Sequence, residues 1–415
     1  MLQGSERAIA ESEGASQVPR IRYLPATALL WAGLLAGTYT FDRLGLKGIA
    51  VPLGALLALV TTATTFLTGK HLGRQDTFTP STWRPLLGLL GLCALLGLSL
   101  TWSSDPASGF LDLGNFLLVP WYMMIATLLW RRAGDDFLKD FLMLVAATGA
   151  VYAVVGLATR QAGTDRIAIL GGGPNMYARV VAIGVCATVF LLLRYSWPKL
   201  VFIAGVTVPL LGTAALIFAG SRGGLISFAV GTVAVVVAST GRVRQLLIVV
   251  SSLALAAVIL GPRLAGQDLQ AYWQSRFVEA TLQNGYLSGR DELFGLAYEV
   301  YSAQPIFGAG YGSFGDYVGI PRYWPHNLFM DLLVATGIVG LIVFLLVVAT
   351  IAIPPLRSFR NPRSFAGPFL TLALVVFVGA QVSGGLFDGR LGWLFLTCAY
   401  LSTVKRETGI TMPRS

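Results

Sequence analysis

Charge is scarce in this chain. Only 12% of its 415 residues are Asp, Glu, Lys or Arg. A soluble globular domain carries about a quarter, so an ordinary soluble fold is excluded. Disorder is excluded as well, because it needs low hydrophobicity, and here 55% of residues are apolar and mean hydropathy is +0.70. Cysteine is nearly missing. Cys93, Cys186 and Cys398 each fall inside an apolar run, which reads as core packing and not a disulfide framework. There are two histidines, His71 and His326. No His pair, Cys cluster or outward Asp-x-Asp is present, so no metal is expected. No Walker-type P-loop or dinucleotide fingerprint occurs, so neither a nucleotide nor a nicotinamide cofactor is expected.

What is present is a series of long apolar runs. They cover about 23–41, 48–68, 86–103, 110–130, 137–159, 175–194, 199–219, 223–239, 245–261, 327–353, 366–387 and 390–404. A bilayer-spanning helix takes about 20 residues, and helix is the default because lipid satisfies no open backbone. The expected fold is therefore all-α: a polytopic integral membrane protein with about twelve transmembrane helices. The division is a polar tail at 1–22, spans one to nine at 23–261, a long loop at 262–326, spans ten to twelve at 327–404, and a tail at 405–415. The first 22 residues include Glu6, Glu11, Glu13, Arg20 and Arg22 and lack the apolar stretch of a signal peptide.

The formal charge of +10 would suggest nucleic acid in a soluble protein. Here it points to basic cytoplasmic loops and anionic ligands, with no nucleic acid partner. With the N-terminus cytoplasmic, nineteen of the 30 Lys and Arg residues fall on the cytoplasmic side, and both termini lie inside. The opposite side holds Arg43, Lys47, Arg160, Arg166, Arg179, Arg222, Arg263, Arg276, Arg290, Arg322 and Arg390. All but one are arginine, whose planar fork of donors matches phosphate and carboxylate. A basic cluster on the translocated side opposes the usual bias, and a task explains it better than headgroup snorkelling does.

The loop has helical pattern of its own. Residues 268–283 put Leu269, Trp273, Phe277 and Ala280 on one face. Ser288 with Asp291 resembles a capping box and opens a helix at about 289–303, with Leu293, Phe294, Ala297, Val300 and Tyr301 inward. Pro305, Gly308, Gly310, Gly312 and Gly315 then predict turns. Both helices are expected to lie on or dip into the outer membrane surface.

Several residues there suit chemistry. His326, between Pro325 and Asn327 at the mouth of the tenth span, suits proton transfer. The competing reading is a structural histidine at a helix start. Arg290 opens the second loop helix, where an anion is already favoured, or it pairs with Asp291 or Glu292. Arg222 lies in Gly220-Ser221-Arg222-Gly223-Gly224, a turn whose glycines are expected to let a bulky anion approach the backbone. Arg166 and Arg179 flank Gly171-Gly172-Gly173-Pro174-Asn175, where backbone donors suit a phosphate or simply start a helix. Asp388 and Arg390 pair with each other or orient a catalytic partner. All of these groups share one side, which suggests an outward-facing site for an anionic, phosphorylated amphiphile.

The stretch Gln304-Pro305-Ile306-Phe307-Gly308-Ala309-Gly310-Tyr311-Gly312-Ser313-Phe314, followed by Pro325-His326-Asn327 and Gly337-Ile338-Val339-Gly340-Leu341, resembles the signature region of bacterial O-antigen ligases. That signature is shared with O-antigen polymerases and O-linked oligosaccharyltransferases. Ser221-Arg222-Gly223 and Ser288-Gly289-Arg290 match two further positions, and Gly173-Pro174-Asn175 resembles the family's Pro-Asn turn. The matched motifs run from about 166 to 341, and the first five spans match only in hydropathy.

The resemblance implies a twelve-span inner-membrane glycosyltransferase with a periplasmic active site. Its donor is a glycan on undecaprenyl diphosphate, and its acceptor is lipid A–core oligosaccharide, which it completes to lipopolysaccharide. No metal, nucleotide or other cofactor is implied. The carried-over catalytic positions are His326, Arg290 and Arg222. Arg166, Arg179, Asn175, Asp388 and Arg390 are added as substrate-binding candidates. No second carboxylate stands out as a nucleophile, so direct displacement with inversion is expected. Three alternatives remain: an O-antigen polymerase, a protein O-oligosaccharyltransferase, and a transporter or flippase of lipid-linked sugars. Charges gathered on one face disfavour the last.

Overall fold

The computed structural model describes residues 24–37, 52–67, 80–160, 166–169, 172–241, 244–245, 274 and 290–404. Within them the chain is helical, with no strand. The helices are α1 (Leu24–Ala36), α2 (Leu53–Leu67), α3 (Pro80–Ser99), α4 (Pro106–Phe116), α5 (Leu118–Ala133), α6 (Asp135–Ala158), α7 (Pro174–Arg194), α8 (Lys199–Phe218), α9 (Arg222–Ala238), α10 (Arg290–Ala303), α11 (Phe314–Val318), α12 (Leu328–Arg357), α13 (Ala366–Ser383) and α14 (Arg390–Leu401). Seven stretches are long and apolar enough to cross a membrane; α4 and α5 together count as one, and α1, α2 and α9 are shorter apolar helices. The protein is a polytopic membrane protein. The ninth expected segment (245–261) lies outside the described residues apart from residue 245. The first loop helix (268–283, apart from residue 274), the Ser288 cap and both tails also lie outside them.

Sequence chemistry sets the helix starts. Asp105 accepts from Ser108 N–H at 3.0 Å, with Pro106 in the first turn of α4. Ser221 accepts from Gly224 N–H at 3.1 Å to start α9. Asn327 accepts from Phe329 and Met330 N–H at 2.9 and 3.0 Å to start α12. Small residues then bring helices together. A Cβ on Gly149 of α6 would stand 2.4 Å from Gly184 Cα of α7, so the two backbones touch. Stacked rings of Phe137, Phe141 and Phe369 fill the centre, with centroids 5.9 Å apart along the row.

Two elements differ from the sequence reading. The segment expected at 110–130 is two helices meeting at Leu117. The tenth span, expected as one continuous helix at 327–353, is broken at Gly337, where φ is +63°. A break inside an apolar helix strands backbone groups that lipid cannot satisfy. The turn-rich 304–312 segment supplies the partners. Ala309 and Gly310 N–H donate to the carbonyls of Val334 and Ala335 at 2.7 and 3.1 Å, and Ile338 N–H donates to Pro305 O at 2.9 Å. A Cβ on Gly337 would come within 2.3 Å of Ile306 O. The Gly308–Gly312 and Gly337–Leu341 motifs are thus two halves of one backbone-to-backbone dock. Gly310 and Gly312, with φ of +95° and +90°, press onto the Ser103–Gly109 turn.

Helix α10 forms as expected at Arg290–Ala303. Ala297 and Val300 are buried against Ala309, Phe314 and Val334, with Leu293 half-buried beside them.

Candidate active site

The starts of α7, α9, α10 and α12 and the end of α13 meet at one end of the bundle. Asn175, one residue into α7, links the 166–169 segment to the Ser221 turn. Its Oδ1 accepts from the Ser221 hydroxyl at 2.8 Å and from Arg166 Nη2 at 3.3 Å, while Arg166 Nε donates to Ala219 O at 3.3 Å. The 166–175 segment is therefore tied to the turn that presents Arg222.

Arg222 stands in the first turn of α9, and its guanidinium is near enough to Arg290 to act on it. Burial and the Arg222 charge together lower the Arg290 pKa. Arg290 donates to the carbonyl of Val382 at the end of α13. No ion pair joins it to Asp291 or Glu292, which are both exposed. Two guanidiniums held together disfavour each other's charge, and an anion between them relieves that cost. The glycines after Arg222 do not open the backbone to a ligand, contrary to the sequence reading. A Cβ on Gly223 would meet Val382 at 3.0 Å, and one on Gly224 would meet Ala178 at 2.4 Å. They serve helix packing. At Gly173 the space is open.

His326 lies at the start of α12 with φ of +58°, and Arg322 has φ of +59°. They are the only non-glycine residues with positive φ among those described, and such strain gathers at functional sites. The Tyr323 and Trp324 rings meet the His326 ring edgewise at 5.5 and 5.3 Å. The His326 pKa is lowered by desolvation and then by Arg290, against an opposing pull from Asp388. Neighbouring Asn327 donates to Gln381 O at 2.8 Å, which anchors this start to α13.

Arg179 and Arg390 are both buried and engaged with backbone acceptors, and Arg390 also lines a cavity. Arg179 is 4% exposed. It donates to Asp388 O and Gly379 O at 3.3 Å each and to the Ser383 hydroxyl at 3.4 Å. Arg390 is 8% exposed, donates to Leu34 O at 2.9 Å, and stands 3.9 Å from the Asp388 carboxylate. Both brace the turn that carries Asp388. Asp388 Oδ2 accepts from Gly385 N–H at 3.0 Å.

The structure adds residues that sequence reasoning passed over. A cavity of about 350 Å³ opens beside His326, lined in part by Asp112, Arg322, Tyr323, Trp324, Asp331 and Asp388. Arg322 Nε donates to Asp112 Oδ1 at 2.8 Å. Asp331 Oδ2 accepts from Leu386 N–H at 2.9 Å. The signal available beforehand was a carboxylate inside an apolar run, at 112 and at 331. Among the described residues no group of three or more His, Cys, Asp or Glu side chains is arranged to hold a metal ion.

Fold and site together define a polytopic helical membrane protein with a paired-arginine and histidine centre at one end. Residues 208–345 match a family model described as O-antigen ligase, which supports membership of the O-antigen ligase superfamily and indicates ligase- or polymerase-type function. The matched stretch contains Arg222, Arg290, His326 and the Gly337 break; Arg166, Asn175, Arg179, Asp388 and Arg390 lie outside it. No curated protein matches the chain.

Proposed function

We propose that the chain is an O-antigen ligase. It transfers a glycan from undecaprenyl diphosphate to lipid A–core oligosaccharide on the periplasmic face of the bacterial inner membrane. In this reading twelve helices span the membrane and both termini are cytoplasmic. The observation that carries the reading is that Arg290, the Gly223 next to Arg222 and the Asn327 next to His326 all contact residues 381–382 at the end of α13, which gathers the three side chains at one place.

The chemistry follows from the groups present. Arg222 and Arg290 hold the diphosphate, supplying the charge that a metal supplies in other transferases. His326, kept neutral by burial and by Arg290, accepts the proton of the acceptor hydroxyl. The hydroxyl oxygen bonds to the anomeric carbon as the bond to the diphosphate oxygen breaks, and the electron pair leaves on the diphosphate. One displacement inverts the anomeric configuration. General base catalysis of this kind contributes about 10²–10⁴-fold. Arg166 and Asn175 set the Arg222 turn, while Arg179, Asp388 and Arg390 set the wall beside His326.

The test is transfer in vitro by purified protein, with undecaprenyl-diphosphate-linked glycan, lipid A–core, EDTA and no nucleotide. The expected result is a lipid A–core–glycan product that is lost in His326→Ala while carrier binding survives. Lengthening of the carrier-linked glycan alone identifies a polymerase, and binding without any turnover identifies a transporter.

A further inference from the structure

The cavity beside His326 differs in character from the arginine pair. Neither Arg222 nor Arg290 lines it. Its two arginines are engaged: Arg322 with Asp112, and Arg390 3.9 Å from Asp388. Asp331 has no such cation. One of its oxygens accepts from Leu386 N–H, and no other hydrogen bond reaches the carboxylate among the described residues. The lining thus offers a diphosphate no arginine that is not already engaged. A carboxyl group hydrogen-bonds readily with hydroxyl groups, which are natural partners for Asp331. Beside it lies an aromatic wall. A Cβ on Gly385 would stand 2.8 Å from Asp331 Oδ2 and 3.1 Å from Trp324 Cδ1, so the carboxylate and the indole flank one glycine. Trp324 is 38% exposed. An aromatic face beside a hydroxyl acceptor complements a sugar ring, whose C–H face is apolar and whose rim is hydroxylated. The volume of about 350 Å³ falls within the range of roughly 300–1,000 Å³ typical of small-molecule sites.

We propose that this cavity holds the acceptor sugar, with Trp324 against the C–H face of an uncharged ring and Asp331 accepting hydrogen bonds from its hydroxyls. The inference rests on the transferase reading given above and names the second substrate's place in it. Position favours the acceptor over the donor. The His326 ring meets Tyr323 and Trp324, which line the cavity, and the next residue, Asn327, is anchored to Gln381 O, one residue from the Val382 carbonyl that Arg290 holds. A base between the diphosphate cradle and this cavity takes its proton from whatever the cavity holds.

The experiment uses purified full-length protein and two readouts. Saturation-transfer NMR with deacylated core oligosaccharide measures acceptor binding without turnover, and undecaprenyl diphosphate affinity is measured separately. Asp331→Asn keeps shape but replaces one acceptor oxygen with an amide donor, and Trp324→Leu removes the aromatic face. Each is expected to lose most of the NMR signal and to raise the acceptor KM about tenfold or more. Carrier affinity and donor KM stay as in the wild type, and that retained affinity also reports an intact fold. Wild-type oligosaccharide binding in both variants overturns the proposal. So does a rise confined to donor KM, which places the donor glycan there, or a loss of kcat with acceptor KM unchanged. If the wild type lengthens carrier-linked glycan instead of modifying lipid A–core, the ligase reading fails. The same variants then report on the second carrier-linked chain as acceptor.

Discussion

Arg179 reaches from the first turns of α7 to the backbone carbonyl of Asp388, 209 residues away, at 3.3 Å. With Gly379 O and the Ser383 hydroxyl as further acceptors, it fastens the end of α13 and the Asp388 turn to α7. This is a positioning role. Arg179→Ala strands these acceptors, at about 1–3 kcal/mol for each buried one. The expected result is a lower melting temperature and slower transfer with carrier affinity unchanged. A loss of carrier affinity in a normally folded variant would restore Arg179 to the phosphate site.

The pH profile tests His326. A base acts in its neutral form, so kcat/KM falls as pH drops through its pKa. That pKa is pushed below the ordinary histidine value by burial and by Arg290. The acid limb is expected below pH ~6.5, with a plateau through neutrality. Asp388→Asn removes the group that opposes the shift, so the limb moves further to acid. An acid limb above pH 7 in the wild type is incompatible with this assignment.

Arg290 acts twice. Arg290→Gln removes half of the diphosphate cradle and is expected to cost about 10²–10³ in rate. It also lifts one depressing charge from His326, so the acid limb of the residual activity moves upward. Arg222→Ala costs rate in the same way, and lysine at either position recovers little because it lacks the planar fork. Competition by free undecaprenyl diphosphate reads the binding component directly.

Gly337→Ala is expected to fail for a backbone reason. The φ of +63° costs about 1–3 kcal/mol for a residue with a Cβ, and that Cβ meets Ile306 O at 2.3 Å. The 304–312 segment then loses its dock, and with it the floor of the cavity. Reduced folded yield in detergent, measured by size exclusion, is the check. Normal yield with full activity would remove the dock from the site's architecture.

Topology is open to a simple measurement. Cysteines introduced at Gly285 and Arg242 are expected to label from the periplasm and the cytoplasm respectively. Periplasmic labelling at 242 overturns the orientation.

Much of the chain follows from its sequence alone. Scarce charge and repeated apolar runs dictate a helical membrane protein, because an unpaired backbone has no partner in lipid. The inward face of α10 is a local feature, set by residues a few positions apart, so its apolar spacing predicts it. The caps at Ser221 and Asn327 are equally local and came from the structure. The signature glycines and Pro325-His326-Asn327 point to the superfamily whose family model matches residues 208–345. Tertiary structure decided the rest. The sequence reading passed over Asp112 and Asp331, and only folding brings 112, 322, 331 and 388 around one cavity. The burial of Arg179 and Arg390 shows only in the fold, because composition marks the side of the membrane and not the depth of a side chain. The break at Gly337 is stable only because residues 305–310 dock there and take up its stranded hydrogen bonds. Such pairings join positions far apart in sequence, and no local periodicity encodes them.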